Sequence, residues 1–424
     1  METVKSSHRK NLKPMNQTTK PTKPNWLLRS LSILGPGIVT AALVFGPSKM
    51  TITSKMGADY GFSLMWVIVV AIFFMRIFTN MSARIGQHRQ ESLLTLIRTS
   101  MGRVASVFIG AGIFMVCISF QAGNSTGVGI AIGEATETSP KIWILLFNLF
   151  GILLLFSRSF YRVLEKVMLA LVIVMLFSFI TTLFLIAPGM DQLLAGLRPQ
   201  IPTGSAGLIV AFIASCFSLV GAFYQSYLVQ EKRKLAPTEN TNAQRSSSVG
   251  ILILGLMSAV VLICAASVLH PQGVQVDSAA QMALALQPLF GDAASNFFFI
   301  GLFGASFSSL VGNAVLGGSM LGDSLGFEGG LNNKRNKLLI AVVMIFGAII
   351  SLMFSHLPLE LIVLAQSVTI FLVPFIGVAI WWIASSKQIM GDHPNTRFQQ
   401  VAGLLGIILV VVLAVINFKV LILS

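Results

Sequence analysis

The sequence predicts an all-α polytopic membrane protein, made of two five-helix repeats of opposite orientation followed by an eleventh helix. Three observations point there. Of 424 residues, 55% are hydrophobic and only 10% charged, where soluble domains carry about 25% charged residues. Apolar runs long enough to span a bilayer recur along the chain, separated by short polar connections. The first run is broken in its middle by Gly46-Pro47-Ser48-Lys49, and the sixth carries small and polar residues, Cys216-Phe217-Ser218-Leu219-Val220-Gly221, in the corresponding place. Paired interruptions of this kind mark inverted-repeat transporters.

The runs place spans one to eleven at 31–57, 62–83, 104–133, 140–157, 163–187, 206–230, 248–269, 293–321, 338–356, 359–385 and 399–422. Residues 1–30 form a basic tail expected to be disordered, 31–187 the first repeat, 206–385 the second, and 399–422 the last helix. The net charge of +14 does not signal nucleic acid, because Lys5, Arg9, Lys10, Lys13, Lys20, Lys23 and Arg29 all precede span one. They suit attraction to anionic lipid headgroups. Basic residues recur in alternate connections: Arg84, Arg89, Arg98 and Arg103; Arg158 and Arg162; Lys232, Arg233, Lys234 and Arg245; Lys334 and Arg335; Lys387 and Arg397. The positive-inside rule then puts the N-terminus in the cytoplasm and the C-terminus outside, in the plasma (inner) membrane. Two connections, Gln90 to Met101 and Val276 to Leu289, read as amphipathic interfacial helices.

Span one carries the chemistry. Pro47 interrupts the helical ladder and Lys49 adds a full charge at once. An intramembrane Lys costs about 2.5–3.5 kcal/mol on insertion scales and usually marks a functional cavity. Other titratable groups offer little. The acidic residues lie almost entirely at span ends or in loops, and all five His lie in the tail, in loops or at span ends. Cys117, Cys216 and Cys264 lack metal-ligand spacing. No enzyme, cofactor or metal cage is therefore expected, and no Gly-x-x-x-x-Gly-Lys-Ser/Thr loop points to ATP-driven pumping. A non-transporting scaffold or sensor would need a partner domain, and the chain ends about two residues after span eleven.

Several stretches resemble the NRAMP family of proton-coupled divalent-metal transporters, which implies a LeuT-type fold. They are Leu34-Gly35-Pro36-Gly37; Gly61 to Gly86 with Trp66 and Ala83-Arg84-Ile85-Gly86; Tyr161-Arg162-Val163-Leu164-Glu165; Leu197-Arg198-Pro199; and Leu364-Ala365-Gln366 with Val373-Pro374-Phe375. The departures fall on the family's site. Its helix-one motif is Asp-Pro-Gly-Asn, where this chain has Gly46-Pro47-Ser48-Lys49. Its helix-three Asp and Glu match Gln121 and Asn124. Its helix-six Met matches Ser218 and a second family His matches Gln225; a shifted register brings Phe223 to the Met position, again without a thioether.

Those changes imply a site without the family's metal ligands. A fixed ammonium about 4 Å from a divalent ion costs roughly 8 kcal/mol at an effective dielectric of 20. Amides do not relay protons at ordinary pH. The expectation is a secondary transporter with alternating access, whose site comprises Gly46, Ser48, Lys49, Gln121, Asn124, Ser218, Gln225 and Gln366. Its cargo is expected to be a small anionic or zwitterionic solute, with divalent cations on atypical ligands as the alternative. Lys49 is open to three roles: binding an anionic group at a half-helix N-terminus, standing as a built-in cation beside a neutral solute, or snorkelling or pairing internally. Arg76, mid-span in helix two, reads as structural rather than gating, and Lys55 as a solvated partner of Asp59. The partners expected are the bilayer and a small solute or ion, not nucleic acid; the oligomeric state is open.

Overall fold

The protein is described by a computed structural model, which covers residues 45–155, 158–216, 219–235, 243–327, 333–354 and 358–423. The described residues are helical, joined by short turns and loops. Among the described residues, seven helices are long and apolar enough to cross a membrane, or nine when each of two bent pairs counts as one span. The two remaining expected spans correspond to the shorter apolar helix Pro140–Leu154 and to Pro47–Tyr60. The N-terminal tail and the first half of span one lie outside the described residues.

Span three, Arg103–Thr136, runs through the centre of the bundle. It packs along span eight, Ala294–Ser324, and also touches spans one, four, nine and ten. Its residues Gln121 to Ala131 are all buried, a polar and Gly-rich face where a lipid-facing helix would carry Leu. Gly127 shows why small residues are needed there. A Cβ at that position would lie 2.5 Å from the Ser306 Oγ and 2.7 Å from the Pro47 Cβ. Side chains of spans one and eight thus press directly on the backbone of span three, the use of small residues that membrane packing favours. Gly127→Val is accordingly expected to destabilise the purified protein by about 1–3 kcal/mol, the usual cost of overpacking. Thermal unfolding in detergent, beside a Gly112→Val control whose nearest contact is 3.8 Å away, measures it.

The structure corrects the sequence reading at four places. Span ten is not one helix: Leu359–Thr369 and Val373–Ser385 meet at a 43° bend. Pro374, in the first turn of the second piece, has no N–H to continue the ladder. Span five turns by 120° into a short helix, Met190–Gly196. Of the two connections read as amphipathic helices, the first forms Leu93–Met101, with the Ser92 side chain accepting from the Thr95 N–H. The second is broken into short pieces beginning with Ala279–Ala283, capped reciprocally by Ser278 and Gln281. Lys55, finally, forms its ion pair with Asp277 at 3.6 Å and donates to the Val276 carbonyl at 2.7 Å. Its stem reaches the connection before span eight rather than Asp59 one turn on.

Arg76 donates from Nε to the Ser248 Oγ at 3.2 Å, and Ser248 in turn donates to the Asn80 Oδ1 at 3.0 Å. The charge ties span two to span seven. Cys117 and Cys264 are buried free thiols.

Candidate substrate site

Span one resumes as a helix at Pro47, and Gly46 before it is extended, at φ −98° and ψ −171°. No side chain caps this helix, and its first turn holds no acid. The Gly46 carbonyl accepts from the Lys49 N–H at 3.1 Å, so the break places Ser48 and Lys49 on the first turn. That turn opens on a cavity of about 30 Å³, lined by Gly46, Ser48, Lys49, Phe120, Asn124, Ser215, Val220, Gly221, Asn313, Leu316 and Gln366. Five of these positions were expected from the sequence: Gly46, Ser48, Lys49, Asn124 and Gln366.

The other three expected positions fall elsewhere. Gln225 is turned to span seven, donating from Nε2 to the Ser247 Oγ at 2.7 Å. Gln121 is fully buried but faces span nine, where its Cγ lies 2.4 Å from the place a Cβ on Gly347 would take. Phe120 and Asn124, four residues apart, face the cavity instead. Ser218 lies outside the described residues.

Ser215 and Asn313 were missed. Ser215 is the penultimate residue of the helix Ala206–Cys216, directly before the small-residue stretch that drew attention to span six. Asn313 is an isolated amide in the apolar run of span eight, and that isolation was the available signal. Gln366 lies four residues before the bend in span ten, so an irregularity of span ten also borders the site.

Lys49 is 1% exposed. It neither snorkels to water nor leaves the cavity. Its Nζ donates to the Ser215 Oγ at 2.9 Å and lies 4.9 Å from the centroid of the Phe212 ring. The Ser215 hydroxyl in turn donates to the Phe212 carbonyl at 3.1 Å. A hydrogen bond to a charged group contributes about 1.5–3 kcal/mol, and a cation over an aromatic face adds to it. The ammonium therefore joins the break in span one to span six.

Around it the lining supplies side-chain oxygens from Ser48, Asn124, Ser215, Asn313 and Gln366, and no carboxylate among the described residues. Nor do the described residues hold any group of three or more His, Cys, Asp or Glu placed to bind a metal. Neutral oxygens of this kind suit hard cations. The space admits about two or three water-sized bodies.

Comparison with known proteins bears on this geometry. The profile of the natural resistance-associated macrophage protein-like family, Nramp, matches residues 37–419. The divalent metal cation transporter MntH of Deinococcus radiodurans is 26% identical over 403 residues, spanning 92% of this chain and 90% of its own. MntH of Klebsiella pneumoniae is 25% identical over 386 residues, spanning 90% and 92%. The crystal structure of the Eremococcus coleocola manganese transporter superposes with a TM-score of 0.76 at 19% identity, over 94% of this chain and 88% of the other. Mhp1, a nucleobase-cation-symport-1 family transporter, superposes with a TM-score of 0.58 at 12% identity, over 91% and 92%. These likenesses show the LeuT-type fold.

Proposed function

The chain belongs to the natural resistance-associated macrophage protein-like family, and from that premise we propose that it is a secondary transporter moving a divalent metal cation. Alternating access would turn about the cavity between spans one, three, six, eight and ten, with the N-terminus cytoplasmic, in the plasma membrane. The observation that carries this reading is the cavity itself, about 30 Å³ and ringed by hydroxyl and amide oxygens. It admits an ion with a water or two. The curated relatives are named divalent metal cation transporters, which favours the same cargo. The small anionic or zwitterionic solute expected from the sequence finds no support in the relatives. Lys49 favours a second reading, a small anionic cargo, because its ammonium lines the same space.

Without a carboxylate and with an ammonium nearby, the divalent site is weak, with a dissociation constant of about 10⁻³ M or above, at or beyond the weak end of calcium sites. Uptake of manganese, magnesium and calcium into proteoliposomes, each at millimolar concentration, tests the proposal. Saturable uptake of at least one is expected. Transport of none of them, with movement of a small anion in the same vesicles, would make the second reading the better one.

A further inference from the structure

We infer that the cavity contains a site for a small inorganic anion of the halide class, held between Asn124, Ser48 and Lys49, and that this anion accompanies the cation. The second clause rests on the divalent-cation reading; the anion site itself does not.

Asn124 carries the argument. It is 3% exposed and lines the cavity, yet its Nδ2 has no hydrogen-bond partner among the described residues. Native structures rarely leave a buried donor in that condition, and a bound ion or water is the usual explanation. The neighbouring groups select between the two. Ser48 brings a hydroxyl against span three beside Asn124, its Oγ only 3.1 Å from where a Cβ on Gly123 would sit. Lys49 brings a full positive charge to the same lining, and both residues lie on the uncapped first turn of a 14-residue helix. An amide N–H, a hydroxyl, an ammonium and the positive end of a helix all favour an acceptor that carries negative charge. A halide accepts from all of them and fits a cavity of about 30 Å³; water also accepts from them, but as a dipole it gains less from the positive charge than an anion does. A cation entering this lining meets an ammonium and no carboxylate, so an anion drawn from solution would lower the charge of the loaded site.

The experiment uses the full chain, purified metal-free in gluconate buffer and titrated with bromide by calorimetry. One saturable bromide site is expected. Lys49→Met and Asn124→Leu should each weaken it by about tenfold or more, the loss of one charge-assisted hydrogen bond. Lys49→Arg, which keeps the charge, should retain it and serves as the folded control. Absence of bromide heat, or a site indifferent to both weakening substitutions, overturns the inference. A second titration, with manganese in gluconate and then in bromide, reads the coupling. Bromide should tighten manganese by about fivefold or more, the lower end of ordinary coupling energies; equal affinities overturn the accompanying role. Bromide binding with manganese silent in both media keeps the anion site and removes the divalent reading. Manganese binding with bromide silent does the reverse.

Discussion

Lys49→Asn is expected to tighten manganese binding in gluconate by at least about a hundredfold, the largest change a single substitution should make here. A unit charge about 4 Å from a divalent ion costs roughly 8 kcal/mol at an effective dielectric of 20. Even if two thirds of that is lost to distance and water, about 2.7 kcal/mol remains, close to a hundredfold in affinity. Asn also offers the site an amide oxygen in place of a cation. Calorimetry on the purified variant decides the matter. An affinity equal to wild type would mean that the ammonium lies outside the cation's path, and the repulsion argument would fall.

Restoring the family's carboxylate is a different matter. A Cβ on Gly46 would lie 2.9 Å from the Ser309 Oγ, 3.3 Å from the Ser309 Cβ and 3.4 Å from the Asn124 Oδ1. Span eight has closed on the space that an Asp side chain would need. Gly46→Asp in the Lys49→Asn background should therefore add less manganese affinity alone than together with Ser309→Ala, which relieves the shortest of these contacts. A double-mutant cycle between positions 46 and 309 measures the coupling, with about 0.5–3 kcal/mol expected for residues in contact. At Gly46 the backbone of span one rests against the Ser309 side chain of span eight, so a carboxylate there needs space as well as charge.

The break in span one was legible because Gly46-Pro47 removes a donor and a side chain at once, and Lys49 then puts a charge where insertion disfavours it. The bend in span ten was not. Ile370-Phe371-Leu372 reads as plain apolar helix, and Pro374 alone gave no angle. Resemblance to the family's helix three likewise put Gln121 and Asn124 together in the site. The cavity instead takes the four-residue spacing of Phe120 and Asn124, because close packing against Gly347 turns Gln121 toward span nine. Lys55 shows the limit of local pairing rules. Asp59 lies at the favourable four-residue spacing, yet the ion pair forms with Asp277, far along the chain. Each miss is a choice between two sequence-allowed contacts, settled by tertiary packing.

Tyr227→Phe is expected to open the site toward the side that bears the basic connections. Tyr227, on span six, donates to the Asp323 Oδ2 of span eight at 2.7 Å, and its hydroxyl accepts from the Leu94 N–H at 3.2 Å. One phenol thus joins span six, span eight and the Leu93–Met101 helix. Further along, the Gln230 amide donates to the Glu91 carbonyl at 2.8 Å and the Arg233 guanidinium to the Arg89 carbonyl at 3.0 Å. Under the alternating access proposed above, access from this side would part span six from span eight. A hydrogen bond to a charged acceptor contributes about 1.5–3 kcal/mol, and its loss should shift the equilibrium toward the parted state by about tenfold or more. The substitution removes only an oxygen, so the ring packing against Phe223 and Tyr224 is kept. The measurement is thiol labelling of an Asn313→Cys reporter in a chain whose three native cysteines are replaced by serine. An impermeant reagent is applied from the basic side. Faster labelling in the Tyr227→Phe chain, with labelling from the other side slowed or unchanged, makes Tyr227 a latch that must open for cargo to leave. Equal rates from both sides in both chains would reduce it to a packing residue, and the path would have to be sought between other helices.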